Sequence, residues 1–256
     1  MSNKICVSLG TSDINELKKL VSESLSANAD FMEIRFDYFD KAKMNEVLEF
    51  VLDHKERAVF TCRAANEGGK YAGSEVERVT ALRRLAAFRP LFLDVEYNTM
   101  TANDDLMDQF TAQNCETLVS WHNFDLTPST EELDNLLSRM KEYSSNVKIV
   151  TMANSMRDNL RVLKLYESAK KAKISLVTFC MGEHGILSRV LCTYAGAPFT
   201  YASLTEAIAP GQLTLKQTRS IYDTLENKNP ELKDYNSWKD RQEFDDVMSI
   251  INEAKA

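Results

Sequence analysis

Val147-Lys-Ile-Val-Thr-Met152 and Leu176-Val-Thr-Phe-Cys-Met181 flank a polar, amphipathic stretch, and the way these three segments connect decides the fold. Each short run is apolar, rich in β-branched residues and too brief for a stable helix, so both read as buried strands. Between them, Ser155 stands where a cap would start a helix over Met156–Lys171, with Leu160, Leu163 and Tyr166 turned to one side. A strand, a crossover helix and a second strand make a parallel βαβ unit.

Working outward, similar strand-like runs begin near Ile5, Phe31, Ala58, Leu91 and Thr117, and one more begins near Phe199. The runs recur about every 28 residues, the length of one strand plus its crossover. Helix starts fall between them. Thr11-Ser12-Asp13 precedes Ile14–Ala27, Ser74 precedes Glu75–Phe88, and Thr214 precedes a helix to about Asn227. Pro128-Ser129 opens a further helix that carries Leu133, Leu136, Leu137 and Met140. No strand is followed by GxGxxG. The repetition predicts a single-domain (β/α)8 TIM barrel over residues 1–227, while an open doubly wound sheet shares the same periodicity. Lys228–Trp238 reads as polar loop and Asp240–Ala256 as an amphipathic helix, so residues 228–256 form a C-terminal tail expected to pack on the barrel.

The chain has 256 residues with 38 acidic against 31 basic side chains, a net charge of −7. That balance argues against nucleic acid and against an anionic membrane surface as partners. No apolar run is long enough for a membrane-spanning helix. Met1-Ser2-Asn3-Lys4 lacks the apolar core of a secretory signal, and five cysteines without a CxxC pair read as thiols of a reducing compartment. A cytoplasmic location is expected. A small anionic substrate held by a few buried basic groups fits the same composition.

Strands buried on both faces should be nearly free of charge. Several here are not. Glu33 and Arg35 lie two apart and share one face of their strand, either as a structural ion pair or as site groups. Arg63 ends the third strand and His122 the fifth, where His122 is either a hydrogen-bonded core histidine or a proton carrier. Lys148 falls inside an apolar run, where burial would lower its pKa and make the amine nucleophilic; were the strand to begin at Ile149, Lys148 would be a solvated end residue. His54 reads as surface, and His184 as loop. A barrel collects strand C-termini at one mouth. A buried lysine, a histidine and several arginines at that mouth suggest a Schiff-base enzyme acting on a carboxylated carbonyl compound.

Six segments in order resemble the type I 3-dehydroquinase family: 33–38 (EIRFDY), 61–69 (TCRAANEGG), 120–124 (SWHNF), 147–152 (VKIVTM), 185–190 (GILSRV) and 209–212 (APGQ). The resemblance covers Lys4 to about Leu225 and implies dehydration of 3-dehydroquinate to 3-dehydroshikimate, the third step of the shikimate pathway. It implies that Lys148 forms an imine with the C3 ketone. His122 would remove the C2 proton and then protonate the departing C1 hydroxyl, oriented by Glu67. Arg189 matches the arginine that binds the substrate carboxylate, although its own context reads as a helix surface. Glu33, Arg35 and Arg63 match groups near the substrate hydroxyls, Ser8 matches a further polar contact, and Gln212 lies on the loop that closes over the site. The resemblance implies no cofactor and no metal, and suggests a homodimer. Three positions depart from the family pattern: Ile208 where a serine is common, Met152-Ala153 where Met-Pro is common, and Glu183 where a lysine is common.

Two other readings are compatible with such residues. A class I aldolase would require a glycine-rich phosphate cradle after the last two strands, and Gly182, Gly185, Gly196 and Gly211 are too sparse for one. A catalytically silent barrel serving as a scaffold would not need Lys148, His122 and Glu67 together.

Overall fold

The computed structural model describes residues 3–226 apart from 206 and 208, so Ile208 and the tail at 228–256 lie outside the described residues. Eight strands follow the chain: β1 (Ile5–Leu9), β2 (Phe31–Arg35), β3 (Ala58–Thr61), β4 (Phe92–Glu96), β5 (Thr117–Asn123), β6 (Asn146–Met152), β7 (Ser175–Met181) and β8 (Thr200–Ala202). Nine helices connect or follow them among the described residues: α1 (Ile14–Ser26), α2 (Met44–Val51), α3 (Glu75–Ala86), α4 (Tyr97–Thr101), α5 (Leu106–Ala112), α6 (Thr130–Met140), α7 (Asp158–Ala172), α8 (Ile186–Ala195) and α9 (Leu215–Leu225). No helix among the described residues is long and apolar enough to cross a membrane.

All strands pair in parallel in the order β7-β6-β5-β4-β3-β2-β1-β8. The sheet curls into a nearly closed (β/α)8 barrel, and Phe179 of β7 meets Tyr201 of β8 with ring centroids 6.2 Å apart. The open-sheet alternative is thereby removed. At the strand N-termini, Phe199 packs against Phe31 at 5.4 Å and Phe92 at 6.4 Å, an aromatic plug that closes the barrel floor. Charged residues occupy the opposite end.

The predicted helix starts appear where side chains satisfy the free N–H groups of a first turn. Asp13 accepts from the Asn15 and Glu16 amides, and Ser74 with Glu77, Ser129 with Glu132 and Thr214 with Gln217 form reciprocal capping boxes. The helix after β6 differs from expectation. It begins at Asp158, whose Oδ2 accepts from the Asn154 and Ser155 amides at 2.8 and 2.9 Å and folds those residues into a preceding turn. Its inner face is Val162, Leu165, Tyr166 and Ala169, while Leu160 is 45% exposed. Tyr166 is common to the expected and the observed stripe, and its hydroxyl donates to Thr178 O and accepts from Thr178 N on β7.

Candidate active site

Lys148 lies in the middle of β6, opposite Ser120 of β5 and Val177 of β7, and is 5% exposed. The strand begins at Asn146, so the solvated-end reading of Lys148 does not hold. Its Nζ reaches Asp94 Oδ2 of β4 at 3.1 Å and Glu33 Oε1 of β2 at 3.6 Å. The amine is therefore buried among carboxylates, not in the apolar surroundings that the strand sequence suggested. The ring of Tyr201 covers another side, its centroid 4.2 Å from Nζ.

His122 sits two residues nearer the mouth on β5, in register with Val150. Its Nδ1 is 3.2 Å from Glu67 Oε2. With Nδ1–H given to the carboxylate, Nε2 is left to exchange protons in the pocket that the ring lines. Burial pushes the His122 imidazole well below its ordinary pKa, and the cations Arg63 and Lys148 push the same way. Burial also raises the Glu67 carboxyl, against the pull of Arg63, to about 7. Both partners thus favour neutrality, which suits a pair that passes one proton.

Glu67 reaches this position through its two following glycines. It ends the short 3-10 turn Ala65–Glu67, and Gly68 leaves it at φ +76°. A Cβ on Gly68 would lie 2.5 Å from the Phe124 ring, and one on Gly69 would lie 2.0 Å from the Arg63 carbonyl oxygen. Asn98 Nδ2 donates to the second Glu67 oxygen at 3.2 Å.

The arginines divide into two groups. Arg63 is committed to the barrel wall: it is 2.7 Å from Asp94, donates to Ser120 Oγ at 2.6 Å, and lies 3.4 Å from Glu96. Arg35 donates twice to Asp37, at 2.9 and 2.7 Å, so the suggested Glu33–Arg35 ion pair does not form. Glu33 instead accepts from Thr61 Oγ1 at 3.0 Å. Arg189 is 3% exposed, against the helix-surface reading. It stacks over Phe179 at 4.5 Å and donates to Pro210 O at 3.1 Å, while its Nε has no hydrogen-bond partner among the described residues. Burial lowers its pKa to about 10. Among the described residues it is the one basic group of this pocket without a carboxylate partner, which makes it a ready anion site.

Ser8 and Gln212 line the same pocket, which encloses about 620 Å³ with its open mouth included. Gln212 ends a turn whose Pro210 carbonyl accepts from Gly182 N at 3.1 Å, tying this loop to the one after β7. All nine residues expected at the site line this one pocket. The departures at Ala153 and Glu183 lie in the segments that follow β6 and β7 and do not line the pocket. Sequence reasoning missed Asp94, although a charge inside Leu91-Phe-Leu-Asp-Val-Glu96 is the same signal that singled out Lys148. Tyr201 was missed too, and an aromatic in a strand carries no such signal.

A family model described as type I 3-dehydroquinase matches residues 5–229. A 3-dehydroquinate dehydratase of Dehalococcoides mccartyi is 39% identical over 219 residues, covering 84% of this chain and 95% of the relative. One of Methanopyrus kandleri is 35% identical over 214 residues, covering 83% and 95%. Among solved structures, the type I 3-dehydroquinate dehydratase of Clostridium difficile with covalently modified comenic acid superposes with a TM-score of 0.79 at 25% identity, over 89% of this chain and 93% of that one.

Proposed function

The chain belongs to the type I 3-dehydroquinase family, the 3-dehydroquinate dehydratases of the shikimate pathway, and we propose that it carries out that dehydration through an imine on Lys148. The observation that carries this reading is the pairing of a buried amine with the His122–Glu67 dyad on the adjacent strand. The amine adds to the C3 ketone of 3-dehydroquinate, and the carbinolamine loses water to give a cationic imine. His122 takes the C2 proton, and the C–H electron pair moves to nitrogen as an enamine. That pair returns to expel the C1 hydroxyl, which leaves as water with the proton from His122. Hydrolysis of the conjugated imine consumes one water and frees Lys148, so one water is lost overall.

Arg189 takes the substrate carboxylate, its guanidinium carrying no carboxylate partner among the described residues and its planar fork suiting bidentate capture. Ser8, Glu33, Arg35 and Arg63 line the side assigned to the hydroxyls, and Gln212 closes from the Ala209–Gln212 loop, excluding water from the imine. The elimination requires no metal or cofactor. The coexistence of amine, imidazole and carboxylate in one pocket speaks against a scaffold role, and family membership replaces the aldolase reading.

Incubation with 3-dehydroquinate and borohydride tests the reading: a reduced adduct is expected on Lys148 by peptide mass. No adduct, together with no enone absorbance, overturns it. We also propose a cytoplasmic homodimer. Exposed Leu160 and Leu187 on the first turns of α7 and α8 are apolar groups a second copy could cover, which sedimentation in solution checks.

A further inference from the structure

Tyr201 has no part in the proton and carboxylate chemistry above, yet its ring face lies against the reacting nitrogen. It is 4% exposed on β8, and its centroid is 4.2 Å from Lys148 Nζ, well inside cation–π range. Phe179 at 6.2 Å and Phe199 at 5.5 Å hold the ring in place from β7 and the barrel floor. Its hydroxyl is buried without a hydrogen-bond partner among the described residues, so the polar end contributes nothing that would explain the position. The face is what Lys148 uses.

The chemistry gives that face a specific task. A lysine ammonium carries three N–H donors, enough for both Asp94 and Glu33. Once nitrogen is doubly bonded to substrate carbon, the cation keeps a single N–H and can donate to one carboxylate at a time. An aromatic face needs no N–H, because it attracts the charge itself. We propose that the Tyr201 ring stabilises the cationic imine, as a positioning and electrostatic residue whose contact survives the change from ammonium to imine. This rests on the imine reading of Lys148.

Borohydride trapping with 3-dehydroquinate, normalised to folded protein, separates the two ideas. Tyr201→Phe keeps the face and removes only the orphan hydroxyl, so parent-like trapping and kcat are expected. Tyr201→Leu is expected to lower the trapped Lys148 fraction and kcat by about tenfold. If that variant fails to fold, Tyr201→Met, which is flexible enough to fill the space, is expected to show the same loss. A purely structural role would lower the yield of folded protein without changing the trapped fraction per folded molecule. An adduct in the parent and an equal adduct in the Leu or Met variant overturn this inference alone, as does an equal loss in Tyr201→Phe. No adduct in the parent overturns the imine, and this inference with it.

Discussion

His122 and Glu67 face each other at 3.2 Å, and burial drives each towards its neutral form. A carboxyl raised to about 7 is still protonated in the folded protein when its unfolded counterpart has ionised, so its cost to stability grows as pH rises from about 4.5 to 7. Glu67→Gln is therefore expected to melt higher than the parent at pH 8 while losing turnover, with the two melting temperatures converging below about pH 4.5. A higher parent melting temperature at pH 8 would contradict this. His122→Ala is expected to keep borohydride trapping at Lys148 and to lose turnover by 100-fold or more, roughly the contribution of a positioned proton carrier. Full activity in that variant would remove His122 from the mechanism. At this scale the sequence spoke unevenly. Lys148 and His122 were visible as polar residues in apolar strands, whereas Glu67 lies in a loop, where a carboxylate is unremarked and only the family pattern singled it out.

The loops and caps are set by backbone demands. Gly211 sits at φ +69°, and a Cβ there would lie 2.2 Å from the Gly182 carbonyl oxygen. Gly211→Ala adds strain on the order of 1–3 kcal/mol and displaces the loop that carries Gln212. The expected result is a severalfold higher KM for 3-dehydroquinate with the protein still folded; an unchanged KM would separate this loop from substrate binding. Neither Ser74 nor Glu77 of the α3 capping box lines the pocket, and Ser74→Ala is expected to cost about 1 kcal/mol in urea denaturation with kcat unchanged. Caps of this kind were legible because a side chain satisfies amides two or three residues away. The inner face of α7 was not, since Val162, Leu165 and Ala169 turn inward only against the neighbouring elements, and Leu160 of the expected stripe is left exposed.

Across the molecule runs a buried chain of alternating charges. Arg78 of α3 is 2.7 Å from Glu96, Glu96 is 3.4 Å from Arg63, Arg63 is 2.7 Å from Asp94, and Asp94 is 3.1 Å from Lys148. Burial opposes ionisation of Asp94, but the cations Arg63 and Lys148 outweigh it and hold its carboxyl well below the ordinary range. A depressed carboxyl contributes stability that is present above its unfolded pKa and is lost as pH falls through the folded one. Asp94→Asn strands two buried cations and is expected to cost about 3–5 kcal/mol at pH 7, the gap to the parent shrinking as pH falls below about 4. A urea midpoint equal to the parent's at pH 7 would show that the cations find other partners.

Repetition of apolar runs every 28 residues or so, broken by charges towards the strand ends, favoured the barrel and pointed to the mouth where its chemistry gathers, while an open sheet of the same period was removed only by the structure. Strand period and burial are local properties, readable one segment at a time. Only the tertiary structure decided which charges meet. Arg35 turns to Asp37 and not to Glu33, Lys148 on β6 finds Asp94 on β4 with β5 between them, and among the described residues Arg189 alone of the pocket's cations is left without a carboxylate. The Arg35 contact is local, two residues apart, but the Lys148 contacts depend on the curvature of the sheet, which brings Asp94 of β4 and Glu33 of β2 within 4 Å of Nζ on β6, and no spacing along the chain encodes that distance.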